Sequence, residues 1–373
     1  MPSIHSKARG AGHRQAGFSL IELMIALILG LIVTAAAGGV FLSNKRVYNA
    51  TETLGRIQEN GRVAFELMSR DIREAGGNPC GSALRPVNIL VGNNDIFWDR
   101  FNEGITGYAP GTALPLTGVG TGVGQRVAGT DAVELHSAID GGVQVIEHDG
   151  PSANLQVSSI DGFALNDILL VCNISQSFIF QATGFSAAGG GIAIGHNGGG
   201  GQSLNCSQTF QVFEGDADVD CDSGAASDVD YCFTELPGGN PQCDFGSLSP
   251  SYVVRPGSVQ WYVGNNARGG TSLYRAVITN RSGGANPDTV LSRDEIVEGV
   301  EDMTITYLEQ GEDAYTAPAG VADWARVIAV RVEYDLEGAR GALSDREIQG
   351  TDGQAISRTF AHVVNLRNRE GTL

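Results

Sequence analysis

Positive charge is scarce in this chain: 24 lysines and arginines stand against 42 aspartates and glutamates, a net charge of −18. The basic residues are scattered and form no patch, which excludes the electrostatic footprint of a nucleic-acid binder. Such acidity favours solubility and repels anionic surfaces. No CxxC pair occurs, which removes a zinc knuckle and a thioredoxin-like site. HExxH, GxSxG and GxxxxGK(S/T) are also absent, so no zincin, hydrolase-elbow or phosphate-loop signature is carried. Past residue 17 the histidines are His136, His148, His196 and His362. With the aspartates concentrated in loop-like sequence, they give a membrane-anchored hydrolase little to work with, and no enzyme is expected.

Glycine, by contrast, is abundant: 52 of 373 residues, about twice the usual share. That excess implies many turns, and so β structure with long connections. The length allows one large or two modest domains with a real core. The cysteines are Cys80, Cys172, Cys206, Cys221, Cys232 and Cys243. Their even number fits up to three disulfides in an exported domain, or six buried thiols in a cytosolic one. Spacing does not choose among the connectivities.

Residues 1–17 carry Lys7, Arg9 and Arg14 and no acid. Phe18 to Leu42 then form an apolar run broken only by Ser19, Glu22 and Thr34. A helix of that length covers about 37 Å, enough for a hydrocarbon core of about 30 Å. The basic leader favours a cytoplasmic N-terminus. Lys45 and Arg46 weaken that bias, while the cysteines favour an exported head. Two processing routes fit. A secretory signal would be cut near Ala35-Ala36-Ala37 and discarded, releasing a secreted adhesin. In the other route the leader is cut before the run and the run is kept. Gly17 sits at the polar–apolar border, where a tight protease subsite admits only a minimal side chain. Phe18 begins the run, and Glu22 lies four residues on. A charge near the centre of a membrane helix costs about 2.5–3.5 kcal/mol on insertion scales. That makes Glu22 a poor choice for a disposable signal or a plain anchor.

Helical periodicity continues past the run. Leu54, Ile57, Gly61, Ala64, Phe65, Met68 and Ile72 recur at three- and four-residue steps and mark one apolar face. Glu52–Arg56 and Glu66–Arg70 are acid-to-base pairs at i,i+4. Gly76-Gly77 and Pro79 read as a stop. One helix from about Phe18 to Ala75 is expected. Gly38-Gly39 at its midpoint fits either a local bend or close packing against another helix.

Beyond the stop the period changes to two. Val133/Leu135, Val259/Trp261/Val263, Met303/Ile305/Tyr307 and Ile328/Val330/Val332/Tyr334 read as half-buried strands, with Phe360/Val364/Leu366 alternating more loosely. Another apolar stretch lies in Asp167–Phe185. The expected class is α+β, with a mainly antiparallel sheet facing the amphipathic half of the helix. Two insertions interrupt it. Residues 187–205 are glycine-dense and read as a flexible surface loop. Residues 206–243 hold four cysteines and read as a cross-linked excursion. Within the excursion, Asp216, Asp218, Asp220 and Asp222 alternate. Alternating carboxylates can converge on Ca²⁺, but the EF-hand pattern is not met, and a solvated acidic loop is the simpler reading. No other cofactor is indicated.

The contiguous stretch GFSLIELMIALILGLIV resembles the class III signal of type IV prepilins and type II secretion pseudopilins. Glu59–Gly77 (ENGRVAFELMSRDIREAGG), Ile296–Gln310, Trp324 ahead of ARVIAVRVEYDLEG, and Arg358–Arg369 are similar to PilW-type minor pilins. The likeness spans about the first and last 80 residues. The middle of the chain resembles no family. The resemblance implies a pilin-like plan: leader 1–17, transmembrane half-helix 18–42, amphipathic half-helix 43–75 and periplasmic head 76–373. It implies cleavage between Gly17 and Phe18 by a prepilin peptidase and N-methylation of Phe18. Loss of the leader's three positive charges would leave a net charge of −21. Glu22 is then expected to dock a neighbouring subunit by pairing with its new terminal ammonium, which offsets desolvation and fixes register. The alternative is that Glu22 bonds only locally. The implied role is a minor pilin that initiates pilus assembly in the inner membrane and sits at or near the fiber tip, supporting motility and adhesion. Its implied partners are other minor pilins, the major pilin, the assembly platform and a tip adhesin. A J-type minor pseudopilin of type II secretion is the alternative within the same plan.

Overall fold

The computed structural model describes residues 17–80, 86–90, 101, 103–139, 141–198, 204–210, 230–234, 243–244, 250–281, 288–338 and 355–369. Helix α1 spans Leu20–Glu74. Its sequence has no proline, so no residue inside it removes a ladder hydrogen bond. It continues unbroken through Gly38 and Gly39, where a Cβ at either position would meet open space. The local melting that adjacent glycines invite does not occur. The chain divides into two units within this helix, Met1–Thr53 and Leu54–Leu373.

In the first unit α1 is exposed on every side from Leu20 to Tyr48. By length and composition this part of the helix can cross a bilayer. Two of its threonine hydroxyls are returned to the backbone. Thr34 Oγ1 donates to the Gly30 carbonyl at 2.6 Å, and Thr51 Oγ1 to that of Val47 at 2.8 Å. Lipid offers no partner for a free hydroxyl, so this back-bonding suits an apolar setting.

The second unit begins with the amphipathic part of α1. Ile57, Gly61, Ala64, Met68, Ile72 and Ala75 are buried at helical spacing, while Leu54 is exposed. The helix ends where Gly76 adopts a left-handed conformation (φ 71°), the usual role of a glycine just past a helix. The strands that follow are β1 (Val87–Asn88), β2 (Ile105–Tyr108), β3 (Ala132–Ala138), β4 (Val143–Asp149), β5 (Asn154–Val157) and β6 (Ile168–Cys172). Next come β7 (Ser177–Gln181), β8 (Gly184–Ala188), β9 (Gly191–Gly195), β10 (Asp230–Tyr231), β11 (Cys243–Asp244) and β12 (Tyr252–Val254). The last are β13 (Pro256–Asn265), β14 (Thr271–Arg281), β15 (Asp288–Glu298), β16 (Val300–Glu309), β17 (Val327–Glu337) and β18 (Ser357–Asn365).

Two antiparallel sheets share one core with the helix. One runs β15-β14-β13-β3-β2 and the other β16-β17-β18. Val133 and Leu135 pair with Trp261 and Val259, and Ile305 pairs with Val332. Their inward side chains meet Ile57, Ala64, Met68 and Ile72 of α1, and Tyr307 and Tyr334 complete this core. In β16 and β17 the alternation read from sequence is the alternation of buried positions, as the pleat requires. By contrast, β3 and β13 are buried on both faces, with Glu134, Gln260 and Tyr262 also shielded.

Although β3 and β13 are adjacent in the sheet, β4–β12 intervene in the chain. The intervening residues build most of a separate eight-stranded sheet, β1-β7-β6-β12-β4-β5-β9-β8, with its own aromatic core of Phe178, Phe180, Phe210, Tyr231 and Phe233. This sheet corrects the expectation of a glycine-rich loop from residue 187. Residues 184–195 form the hairpin β8–β9, which turns at Gly189-Gly190, and Gly190 has φ 118°. Ala193 and Ile194 of β9 are buried. Glycine here supplies the turn and a close strand approach, since a Cβ on Gly191 would lie 2.2 Å from the Val157 carbonyl oxygen.

Candidate functional site

The residues singled out near the N-terminus lie at the start of α1. Gly17, Phe18 and Ser19 precede its first turn, and Phe18 is 84% exposed. Ser19 is the N-cap: its Oγ accepts the Glu22 amide N–H at 3.3 Å, and its carbonyl accepts the amides of Glu22 and Leu23 at 3.1 Å. Ser-x-x-Glu is the spacing of a capping box, a signal that sequence reading passed over at Ser19. In a complete box the glutamate reaches back to the cap. Here, among the described residues, nothing donates to or pairs with the Glu22 carboxylate. It occupies the third helical position, where the helix dipole favours an anion. The site therefore presents one unneutralised acid on an otherwise apolar, exposed helix, two turns or less from the proposed cleavage point.

The remaining candidates divide. Cys80 and Cys172 form a disulfide with Cα atoms 5.8 Å apart. It ties the segment leaving α1 to the end of β6. Cys206 and Cys232 are also disulfide-bonded. Cys221 lies outside the described residues, and of Cys243 only the backbone is described. Asp216, Asp218, Asp220 and Asp222 all lie outside the described residues. Among the described residues, no group of three or more His, Cys, Asp or Glu side chains is placed to hold a metal ion.

The histidines serve packing. His362 stacks on Phe65 of α1 with ring centroids 3.9 Å apart. His136 lies in β3, fully buried beside Phe101. His148 and His196 are buried as a pair, Nε2 to Nε2 3.3 Å apart. His148 Nδ1 accepts the amide N–H of Phe233 at 3.2 Å. That bond fixes the neutral tautomer of His148 with its proton on Nε2, so a metal has no free lone pair there. Burial lowers the pKa of His148 to about 3, against a smaller opposing effect of Asp149. Burial first, then the neighbouring His148, holds His196 well below its ordinary value.

A buried polar network covers the outer side of the five-stranded sheet. Arg126 donates to the carbonyls of Thr112, Tyr108, Ala109 and Thr130 and thereby folds residues 109–130 over Tyr262 and Tyr274. Burial lowers the Arg126 pKa and raises that of Asp131, whose carboxylate accepts the Ile305 amide at 2.8 Å. Burial likewise drives the Tyr307 hydroxyl well above its ordinary value. The Arg126 Nη atoms are closed against backbone carbonyls, an arrangement that holds a loop in place. Arg126 Nε and the Tyr307 hydroxyl find no hydrogen-bond partner among the described residues. Sequence reading missed this arginine, because its partners are carbonyls that leave no trace in side-chain pattern.

Arg369 and Asn368 were missed for the same reason. Arg369 donates to the carbonyls of Trp324, Val327 and Glu103, and Asn368 Nδ2 to those of Glu74 and Ala75. The C-terminal tail thus caps the end of α1 and bridges to β17 and the segment before β2.

Comparison with known families matches the two ends of the chain. Residues 12–38 match the prokaryotic N-terminal methylation motif. Residues 260–368 match the family described as type IV pilus-assembly protein W. The second match covers most of β13 and all of β14 to β18, the strands that pack on α1. No curated protein matches the chain. A methylation motif that contains Gly17, Phe18 and Glu22, joined by a long apolar helix to a sheet of this family, supports a PilW-like type IV minor pilin carrying a class III prepilin signal.

Proposed function

We propose that this chain is a minor pilin that starts pilus assembly in the inner membrane and stays at or near the fiber tip, where the fiber serves motility or adhesion. The leader 1–17 is removed between Gly17 and Phe18 by a prepilin peptidase, and Phe18 is methylated. Residues 18–42 remain in the membrane, and the head lies in the periplasm until the fiber carries it outward. The chain performs no catalysis. It works by binding other minor pilins, the major pilin and the assembly platform, with a tip adhesin as a further partner.

The observation that carries this reading is the unpaired Glu22 carboxylate on an apolar helix. A charge in that setting calls for a counter-charge. Cleavage after Gly17 would create one on each subunit. Within one chain Glu22 lies roughly 6 Å along the axis from Phe18, and a staggered neighbour's ammonium could approach it directly. Such a contact sets axial register, a role for buried charge with precedent in coiled coils.

Mass spectrometry of the N-terminus of the membrane-extracted protein tests the processing. N-methyl-Phe18 is expected, and a product beginning at Gly38 would overturn the reading. Purified surface fibers should contain the chain at low abundance. Its confinement to a short periplasmic assembly with secretion components would point to the pseudopilin role.

A further inference from the structure

The buried pair His148–His196 stands apart from the pilin machinery, yet it joins three segments distant in sequence. His148 lies in β4. His196 follows β9, and its amide donates to the Ala153 carbonyl at 2.9 Å. The third partner is the disulfide-bonded excursion. Phe210 stacks on His196 with ring centroids 4.4 Å apart, and Phe233 gives its amide N–H to His148 Nδ1. The His148 amide donates in turn to Thr234 Oγ1 at 2.6 Å. The imidazoles are therefore one of the contacts by which 204–210 and 230–234 are seated on the inserted sheet, beside the bonds of Leu204 and Asn205 to Gln181 and of Tyr231 to Asn173.

The hydrogen-bond pattern leaves a proton nowhere to go. His148 Nδ1 is an acceptor, so its proton sits on Nε2 and is donated to His196 Nε2. His196 must then carry its own proton on Nδ1, which is buried with no partner beyond the residue's own backbone. Charging His148 puts a second N–H against the Phe233 N–H. Charging His196 puts an N–H against the His148 N–H. Either protonation turns a bond of the cluster into a donor–donor contact inside an apolar shell.

We propose that the His148–His196 pair is an acid-operated latch: protonation breaks its two bonds and releases 204–210 and 230–234 from the inserted sheet, while the core on α1 stays folded. Among the described residues, the groups facing the pair are few. From β4, Asp149 is the charged group that acts on His148. From 230–234 come Tyr231, whose hydroxyl is engaged with Asn173 at 2.7 and 2.9 Å, and the oxidised Cys232. From 204–210 come Phe210 and the oxidised Cys206, and from β7 come Phe178 and Phe180, none of which ionises. Ser251 Oγ, bonded to the Phe233 carbonyl at 2.9 Å, is a neutral tether that opening must also break, as are the bonds of Leu204 and Asn205 to Gln181 and of the Cys206 amide to the Ile89 carbonyl.

The direction of the pH effect follows by linkage. In the closed state the rings stay neutral, because burial depresses both. In the open state they titrate at the ordinary value of about 6.5. The open state thus binds more protons from that value down to the depressed closed-state values, about pH 3 for His148. It gains up to about tenfold in population per pH unit for each histidine. Above about pH 7 neither state is charged and the latch is shut.

Amide hydrogen exchange of the full chain in detergent micelles tests this, at about pH 7.5 and about pH 4.5, on either side of the ordinary histidine value. After correction for intrinsic rates, 204–210 and 230–234 should exchange at least about tenfold faster at the lower pH. β13, β14 and β17 should remain protected, and the change should reverse on neutralisation. His196→Gln keeps an acceptor for His148 and removes one titrating ring, so its opening midpoint should fall to lower pH. Three results would overturn the latch: unchanged protection at low pH, loss of protection in β13 and β17 at the same midpoint, or an unmoved midpoint in the variant. Should that variant open already at neutral pH, the histidine ring signals of the native chain decide instead. Either ring titrating near about 6.5 in the closed state would overturn the proposal.

Discussion

Asp71 of α1 takes a forked pair of hydrogen bonds from Arg275 of β14, Nε to Oδ2 at 2.7 Å and Nη2 to Oδ1 at 3.2 Å. The same Oδ2 accepts the indole N–H of Trp261 on β13 at 2.9 Å. One carboxylate thereby fixes the rotation of the helix against two neighbouring strands. The site is mostly shielded, with side-chain exposures of 28% for Arg275 and 10% for Asp71. The bidentate geometry adds direction as well as energy.

Replacing Asp71 by Ala leaves a shielded guanidinium and a buried indole N–H without an acceptor. The expected loss is about 2–4 kcal/mol, below that of a fully buried pair because Arg275 retains some solvent. Asp71→Asn keeps one acceptor and should lose about half as much. Thermal unfolding followed by tryptophan fluorescence gives the ranking. Equal stability of Ala and wild type would show that the clamp is dispensable.

Gly61 tests how tightly the helix meets the third strand of its sheet. A Cβ at this position would lie 2.5 Å from Phe360 Cζ. The Gly61 carbonyl accepts the Tyr334 hydroxyl at 2.7 Å, and Tyr334 stacks on Phe360 with centroids 5.6 Å apart. Alanine improves helix propensity by about 1 kcal/mol, while overpacking costs about 1–3 kcal/mol. The clash should win, because Phe360 is held between Tyr334 and the helix. Gly61→Ala is expected to lower stability by about 1 kcal/mol, and Phe360→Leu should relieve the loss in the double variant. A stabilised Gly61→Ala would mean that the sheet yields freely there.

Elements with a strong period were legible in the sequence. The stripe from Ile57 to Ile72 and the alternation in β16 and β17 are buried as read, because a helix or strand packed on one side must repeat apolar residues at its own period. Strand β13 is buried on both faces, and its apolar Trp261 and Val263 mark only the face toward α1. The inserted sheet was only partly legible. Its apolar strands β6 and β7 lie in the stretch that sequence marked, but β8 and β9 read GFSAA and GIAIG, rich in residues typical of loops. Ion pairing along α1 also differed. Arg62 pairs with Glu66 at 2.8 Å and Arg70 with Glu74 at 3.3 Å, so Glu66 turns back to Arg62 instead of forward to Arg70. These pairs are exposed and near-equal in energy, which leaves their choice to details that composition does not record. Disulfide pairing depends on which strands become neighbours, and no local pattern contains that. The capping serine at position 19 has the Ser-x-x-Glu spacing of a capping box, legible in sequence.

Removing the Cys80–Cys172 bond should be felt strongly. The bridge closes a loop of 92 residues. The chain-entropy model assigns such a loop about 4–5 kcal/mol. Cys172 is fully buried at the end of β6, so a serine there adds the cost of a shielded hydroxyl. The variant Cys80→Ser with Cys172→Ala avoids that second cost. It should unfold at a lower temperature than wild type under non-reducing conditions, and the difference should vanish when both are fully reduced and alkylated. Coincident melting before reduction would mean that the bridge constrains nothing.

The two polar residues at the head of α1 can be separated by substitution. Ser19→Ala removes the cap of the first turn, worth about 1 kcal/mol to the helix end, and leaves the Glu22 carboxylate in place. Glu22→Gln leaves the cap and the shape in place and removes only the charge. If Glu22 acts locally, the two variants should be alike, because both weaken the same first turn. If Glu22 pairs with a neighbour's ammonium, Glu22→Gln alone leaves that ammonium unmatched in an apolar layer, a cost of several kcal/mol. Incorporation into fibers should then fall by at least about tenfold for Glu22→Gln, while Ser19→Ala stays close to wild type. Quantifying each variant in sheared fibers against its membrane pool separates the outcomes. Equal incorporation of Glu22→Gln and wild type would return Glu22 to a purely local role.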